Sequence, residues 1–158
     1  MQLRANRKME ALLTQLAMKG LKGNADKMEN FKSLIESSVI EIQGCFFLSA
    51  FVSEGHSSSN TLPLDATGEE CFVNHFHIED YIRNIKLSND ILFHYGFRLA
   101  FIVLEKLKIL RKKHDFNIII AISKGSCTVR FHKVRVNDQW LDPNLENYKL
   151  DAIAVIEI

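Results

Sequence analysis

The stretch from Ser88 to Lys112, SNDILFHYGFRLAFIVLEKLKILRK, is the longest apolar run in the chain, and every other element has to cover it. Ser88 or Asn89 can cap a first turn, and Asp90 puts negative charge where a helix dipole favours it. Ile91, Tyr95, Leu99, Ile102, Val103 and Leu110 recur at three- and four-residue spacing and define one apolar stripe. Phe93, Phe97, Phe101 and Leu104 define a second stripe, displaced around the cylinder. A helix apolar on two faces belongs inside a domain, or it lends one face to a partner. It does not read as a membrane span: its most apolar part is about fourteen residues and contains His94 and Arg98, where a span needs roughly 20. Lys106, Lys108, Arg111, Lys112 and Lys113 suit the negative end of the dipole.

With 158 residues the chain has the length of one domain and enough material for a sizeable core. Residues 1–37 read as a helical hairpin. Its first arm runs over 3–19 on Leu3, Met9, Leu12, Leu13, Leu16 and Ala17, and its second runs from Asn24 to about Ile35. Residues 38–82 hold strands and a long acidic loop: Val39–Val52 is strand-like with Gly44 as a turn or bulge, residues 53–69 are loop, and Cys71 to Ile78 reads as a short strand followed by a helical turn over 79–82. Residues 88–113 form the central helix. Residues 116–158 form C-terminal antiparallel strands: Phe116–Ile122 apolar on both faces, a reversal at 123–126, a return through Val136 whose alternation slips near Lys133, a helix led by Pro143, and a last strand over 152–158. The expected architecture is a single α+β domain, mainly an antiparallel sheet packed on a long central helix, with an N-terminal helical hairpin.

Charge is distributed in blocks. Residues 33–82 carry eight carboxylates and neither Lys nor Arg, whereas residues 83–136 carry twelve basic residues against three acids. Folding can interleave such blocks, or it can leave an acidic face for a basic partner, with electrostatics speeding the encounter. Cys45, Cys71 and Cys127 stand alone in apolar surroundings, as buried thiols of a cytoplasmic protein do. No secretory leader pattern opens the chain.

Catalytic motifs are scarce. His75 and His77, two apart in FVNHFHI, would share one strand face, and with His132 and Lys133 they supply the residue types of a small hydrolase or nuclease. No GxSxG elbow, phosphate loop or CxxC pair accompanies them, and no metal or cofactor is implied. The basic run 106–113 lacks interleaved aromatics, so a nucleic-acid-binding regulatory module ranks behind the other readings. Trp140, between Asp138 and Asp142, is either a cap on the sheet or an interface anchor.

The segment TVRFHKVRVNDQWLDPNLENYKLDAIAVIEI, Thr128 to Ile158, combines a strand ending in FHK-x-R, a Trp-Leu, a Leu-Glu-x-Tyr turn and an apolar final strand. It resembles the closing segment of small bacterial immunity proteins, which neutralise a cognate polymorphic or contact-dependent toxin by binding it. The resemblance implies a non-catalytic, cytoplasmic protein whose partner is a cognate protein toxin with a basic surface, a nuclease among the candidates. It transfers no functional residues. By charge and loop context, the expected partner contacts are Glu54, Asp65, Glu69, Glu70, Glu79 and Asp80.

Overall fold

The apolar run Phe116–Ser123 becomes β5, the middle strand of a five-stranded antiparallel sheet. The computed structural model describes residues 1–19, 29, 31–52, 65–82 and 88–158. Across the sheet the order is β1 (Gln2–Ala5), β7 (Ala152–Glu157), β5, β6 (Ser126–Lys133) and β4 (Phe76–His77). The central position of β5 explains its lack of alternation. Ile118, Ile120 and Ile122 enter the main core, while Ile119 joins Leu145, Ile153 and Val155 under a lid of Trp140, Leu141 and Tyr148 on the opposite face. β5 and β6 are joined at Lys124-Gly125, with Ser123 opposite Ser126 and Gly125 at φ +75°. A second hairpin pairs β2 (Val39–Ile42) with β3 (Cys45–Leu48). Its turn residues Gln43 and Gly44 both have positive φ, as a tight hairpin turn requires.

The covering helix α5 spans Asn89–Leu107, and the Ser88 hydroxyl accepts from the Ile91 N–H. Leu92, Phe93, Tyr95, Leu99, Ala100, Val103, Leu104 and Leu107 are buried along it, and it packs on β5 and β6. Each large side chain so buried contributes about 1.5–3 kcal/mol. The helix stops five residues before Lys112; residues 108–113 continue as turns. The second stripe divides: Phe93 and Leu104 are core, Phe97 is half-buried, and Phe101 is 50% exposed.

α5 lies so close to the sheet that a Cβ at Gly96 would fall 2.5 Å from Cys127 Sγ. Alanine is the better helix former by about 1 kcal/mol, but forcing a methyl into a filled core costs about 1–3 kcal/mol. Gly96→Ala is therefore expected to destabilise the protein. In a Cys127→Ala background the sulfur is gone and the same substitution should become stabilising, a reversal that urea unfolding of the four variants would read.

Several local expectations give way to tertiary structure. Leu3, Arg4 and Ala5, the first three residues expected as helix, are strand: β1 pairs with β7, and α1 (Arg7–Lys19) begins only after Asn6. The break expected at 20–23 and, of the second hairpin arm, residues 24–28 and 30 lie outside the described residues, and α2 spans only Lys32–Glu36. Cys71-Phe72-Val73 is not a strand but the end of α3 (Ala66–Val73). The loop expected over 53–69 therefore ends at Asp65, and 53–64 lie outside the described residues. α4 (Ile78–Tyr81) is the short helical turn, and the Pro143-led helix is a 3-10 turn at Leu145–Asn147. The result is an α+β fold around an antiparallel sheet. No helix among the described residues is long and apolar enough to cross a membrane.

Candidate functional site

The acidic candidates take different places. Asp65 caps α3: its Oδ1 accepts the Gly68 N–H at 2.6 Å, and that bond, with Asp138 beside it, holds the carboxyl below the usual range. One turn on, Glu70 has no solvent exposure at all. Its Oε1 accepts from the Phe46 N–H and Arg135 Nη2, and its Oε2 from the Lys133 N–H and Arg135 Nη1, all at 2.7–2.8 Å. Four residues later, and so on the same helix face, Asn74 is also buried; its Oδ1 accepts from the Leu48 N–H and its Nδ2 donates to the Phe46 and Phe131 carbonyls. These two side chains stand where a strand would, bridging the edges of β3 and β6. Glu70 is therefore taken out of the expected contact surface: it is a fastening between the two sheets, with both oxygens committed internally.

Glu79 is engaged at the other end of β6. It accepts from the Ser126 hydroxyl and the Cys127 N–H, and His77 Nδ1 lies 3.3 Å from it. Asp80 follows it, exposed. Ser126 and Lys133 are the two ends of β6, roughly 24 Å apart at strand rise. Asp65 and Glu69 thus belong to one end of the sheet and Glu79 and Asp80 to the other, and Glu54 lies outside the described residues. The single acidic face expected from the sequence is split in two.

The histidines are also divided. His75 and His77 have ring centroids 4.3 Å apart, and Arg130 Nη2 donates to His75 Nε2 at 3.0 Å. Burial, then the neighbouring Arg130, brings the His75 imidazole down to about 4, so it is neutral at neutral pH with its basic nitrogen occupied. His132 lies two residues beyond Arg130 on the same strand face, buried, its Nδ1–H donating to the Lys133 carbonyl at 2.9 Å. Burial lowers its pKa as well, so it is neutral and Nε2 carries the lone pair. Arg130 therefore stands between the histidines that a hydrolase would have to bring together. Among the described residues no three His, Cys, Asp or Glu side chains converge in a metal-holding group. All three thiols are buried; burial raises Cys45 to about 11 and Cys71 and Cys127 further, which makes them poor nucleophiles. In the basic run, Lys106 is a structural cap, its ammonium donating to the Ile35 and Ser37 carbonyls, and Lys108 pairs with Glu105.

The concavity that gathers polar groups is on the sheet face away from α5. It has a volume of about 140 Å³, with Ile119, Val155, Leu141 and Trp140 as apolar walls and Asn117, His132 and Asp138 among its polar ones. Asn117 and His132 are directly paired across β5 and β6, so their side chains stand together. Trp140 leans over β6, its ring 5.2 Å from the Arg130 guanidinium carbon. Asp138 stands within hydrogen-bonding reach of Asp65, which makes the Asp65 end of the sheet the rim of this cleft. Of these residues Trp140 was conspicuous in the sequence as an isolated aromatic. Asn117 and Asp138 carried no signal, because only the pairing of β5 with β6 and the Arg135–Asp138 bridge bring them to one place.

The fold and cleft define the class: an α+β protein with a small polar concavity on the second face of an antiparallel sheet. The chain belongs to the family described as Uncharacterized protein PM0498 family, whose pattern matches residues 4–158. No curated protein and no solved structure matches it.

Proposed function

We propose that this chain is a non-catalytic binding protein of the cytoplasm that neutralises a cognate bacterial toxin by covering a basic surface on it. The observation that carries the reading is the meeting of Asp65 and Asp138 at the cleft rim, with Glu69 on the same short helix as Asp65. Neither Asp65 nor Asp138 is in an ion pair among the described residues. Two acidic side chains at one rim offer a partner's cation two counter-charges at once. The inward-turned titratable groups support the same reading from the other side: Glu70, Glu79, His75 and His132 are each engaged by groups of the scaffold. The weight of the contact surface shifts accordingly, from the six carboxylates of the sequence reading to Asp65, Glu69 and Asp138.

The test is co-expression with the product of the reading frame beside this gene, which should be toxic when expressed alone. Growth should be restored and the two purified proteins should form a complex. Asp65→Asn keeps the helix cap, because asparagine caps as well as aspartate. Combined with Asp138→Asn it should slow association by about tenfold at low salt and flatten the salt dependence. A folded protein that neither protects the cell nor binds the toxic product would sink the reading.

A further inference from the structure

We infer that the cleft on the second sheet face is a receptor for one guanidinium group, presented by an arginine side chain of the protein partner. The partner half of this statement rests on the proposed function; the guanidinium half rests on the cleft alone. At about 140 Å³ the cleft is smaller than the roughly 300–1,000 Å³ that hold drug-sized molecules and cofactors. It suits a side chain.

Its electrostatics select the sign of the occupant. Arg4 and Arg135 both line it, but Arg4 is paired with Glu157 and Arg135 is held by both oxygens of Glu70. Those four charges cancel, and of the three that remain the Asp138 and Asp65 carboxylates outnumber the Arg130 guanidinium on the Trp140 ring. The hydrogen-bonding groups select the chemistry. His132 is 3% exposed and its Nδ1–H is already committed to the Lys133 carbonyl, so Nε2 is an acceptor. The Asn117 amide oxygen beside it and the Asp138 carboxylate are further acceptors. Trp140 and Leu141 supply flat apolar walls. Several acceptors beside an aromatic wall match a planar, weakly hydrated cation with five N–H donors. A lysine ammonium is a compact, strongly hydrated point charge and gains less from such walls. Trp140 already accepts one guanidinium, that of Arg130, over its ring.

Trp140 is the sole tryptophan, so the protein carries its own reporter. Titration with N-acetyl-arginine amide should give a saturable change in Trp140 emission, with a dissociation constant on the order of 1 mM. The Asn117 side-chain amide resonances should shift in parallel. N-acetyl-lysine amide and the neutral isostere N-acetyl-citrulline amide should each bind about tenfold more weakly or less. Asp138→Asn should weaken the arginine probe by about tenfold while its melting temperature stays at the wild-type value; Asn117→Ala gives a second variant should the first fail to fold. No saturable response, or equal responses to the arginine and citrulline probes, overturns the inference. Failure is also separable from that of the proposed function: a toxin complex formed by a protein deaf to the arginine probe removes the cleft alone. Arginine binding without any toxin complex removes only the partner.

Discussion

Glu70→Ala is expected to cost about 3–5 kcal/mol, enough to unfold a domain of ordinary stability at physiological temperature. The magnitude follows from what the truncation leaves behind. Arg135, with only 17% of its side chain exposed, would lose both bonds of a bidentate pair. The Phe46 and Lys133 N–H groups would lose their acceptor in a part of the structure that water barely reaches, at about 1–3 kcal/mol for each buried donor left unsatisfied. Glu70→Gln should fall between alanine and wild type. Its amide oxygen can still accept, but its NH2 would face the donors of Lys133 and Arg135. Asp80→Asn, on an exposed carboxylate of the same acidic block, should stay within about 0.5 kcal/mol of wild type. Urea midpoints give the order. Amide exchange gives the mechanism, because the Phe46 and Leu48 N–H groups are protected by α3 side chains and not by a neighbouring strand. Loss of protection at Phe46 in Glu70→Ala, with β5 and β6 still protected, would locate the damage at the seam. A Glu70→Ala protein as stable as Asp80→Asn would show that the seam holds nothing together.

This seam also marks where sequence reasoning stops. A run of carboxylates without a basic residue reads as surface, because charge along the chain carries no record of which cation each carboxylate will meet. Glu70 meets Arg135, 65 residues away in the opposite block. The bland alternative, that folding interleaves the blocks, holds at this position. At Asp65 it holds only at a distance: Arg135 acts on that carboxyl through space, without an ion pair among the described residues, and the hydrogen-bonding side chain beside it is another aspartate.

The elements legible from the sequence are those whose neighbours lie close along the chain. The β5–β6 hairpin reverses over two residues and the β2–β3 hairpin carries Gly44 at its turn, so period and turn chemistry suffice. Ser88 announces α5, but its end was masked by apolar Ile109 and Leu110 beyond Leu107; Ile109 is 81% exposed. α3 was hidden by the strand-forming run Cys71-Phe72-Val73, although Asp65 followed by Glu69 and Glu70 is a readable helix start. β1 was not readable at all. Its four residues take strand form through β7, some 150 residues away, and nothing local distinguishes them from the first turn of α1. The cleft shares this limit, since it draws on β5, β6 and the segment around Asp138 and Trp140.

The junction of β1 and α1 yields the second large effect. Asn6, 2% exposed, is the N-cap of α1, its Oδ1 accepting from the Met9 N–H at 3.1 Å. The same oxygen accepts from the Ile153 N–H at 3.0 Å, and Nδ2 donates to the Asp151 carbonyl at 2.9 Å, with the Leu145 and Tyr148 carbonyls at 3.5 Å. One amide therefore starts the first helix and secures the segment leading into the last strand. Asn6→Ala removes a cap worth about 0.5–2 kcal/mol and strands buried partners on both sides at about 1–3 kcal/mol each; a total loss of about 3 kcal/mol is expected. Asn6→Asp separates the two roles. Aspartate caps as well as asparagine and can still accept from Met9 and Ile153, but its second oxygen would face three carbonyl oxygens. That environment disfavours the charged form, so the folded-state pKa of the new carboxyl is raised above its unfolded value. A raised pKa means stability that is present below the unfolded pKa and lost as pH rises through the folded one. The deficit of Asn6→Asp relative to wild type should therefore be large at pH 7 and shrink as pH falls toward 4, whereas the deficit of Asn6→Ala should not change. Melting temperatures of the three proteins across that range would show it, and a pH-independent Asn6→Asp deficit would mean that the second oxygen meets water and not the carbonyls.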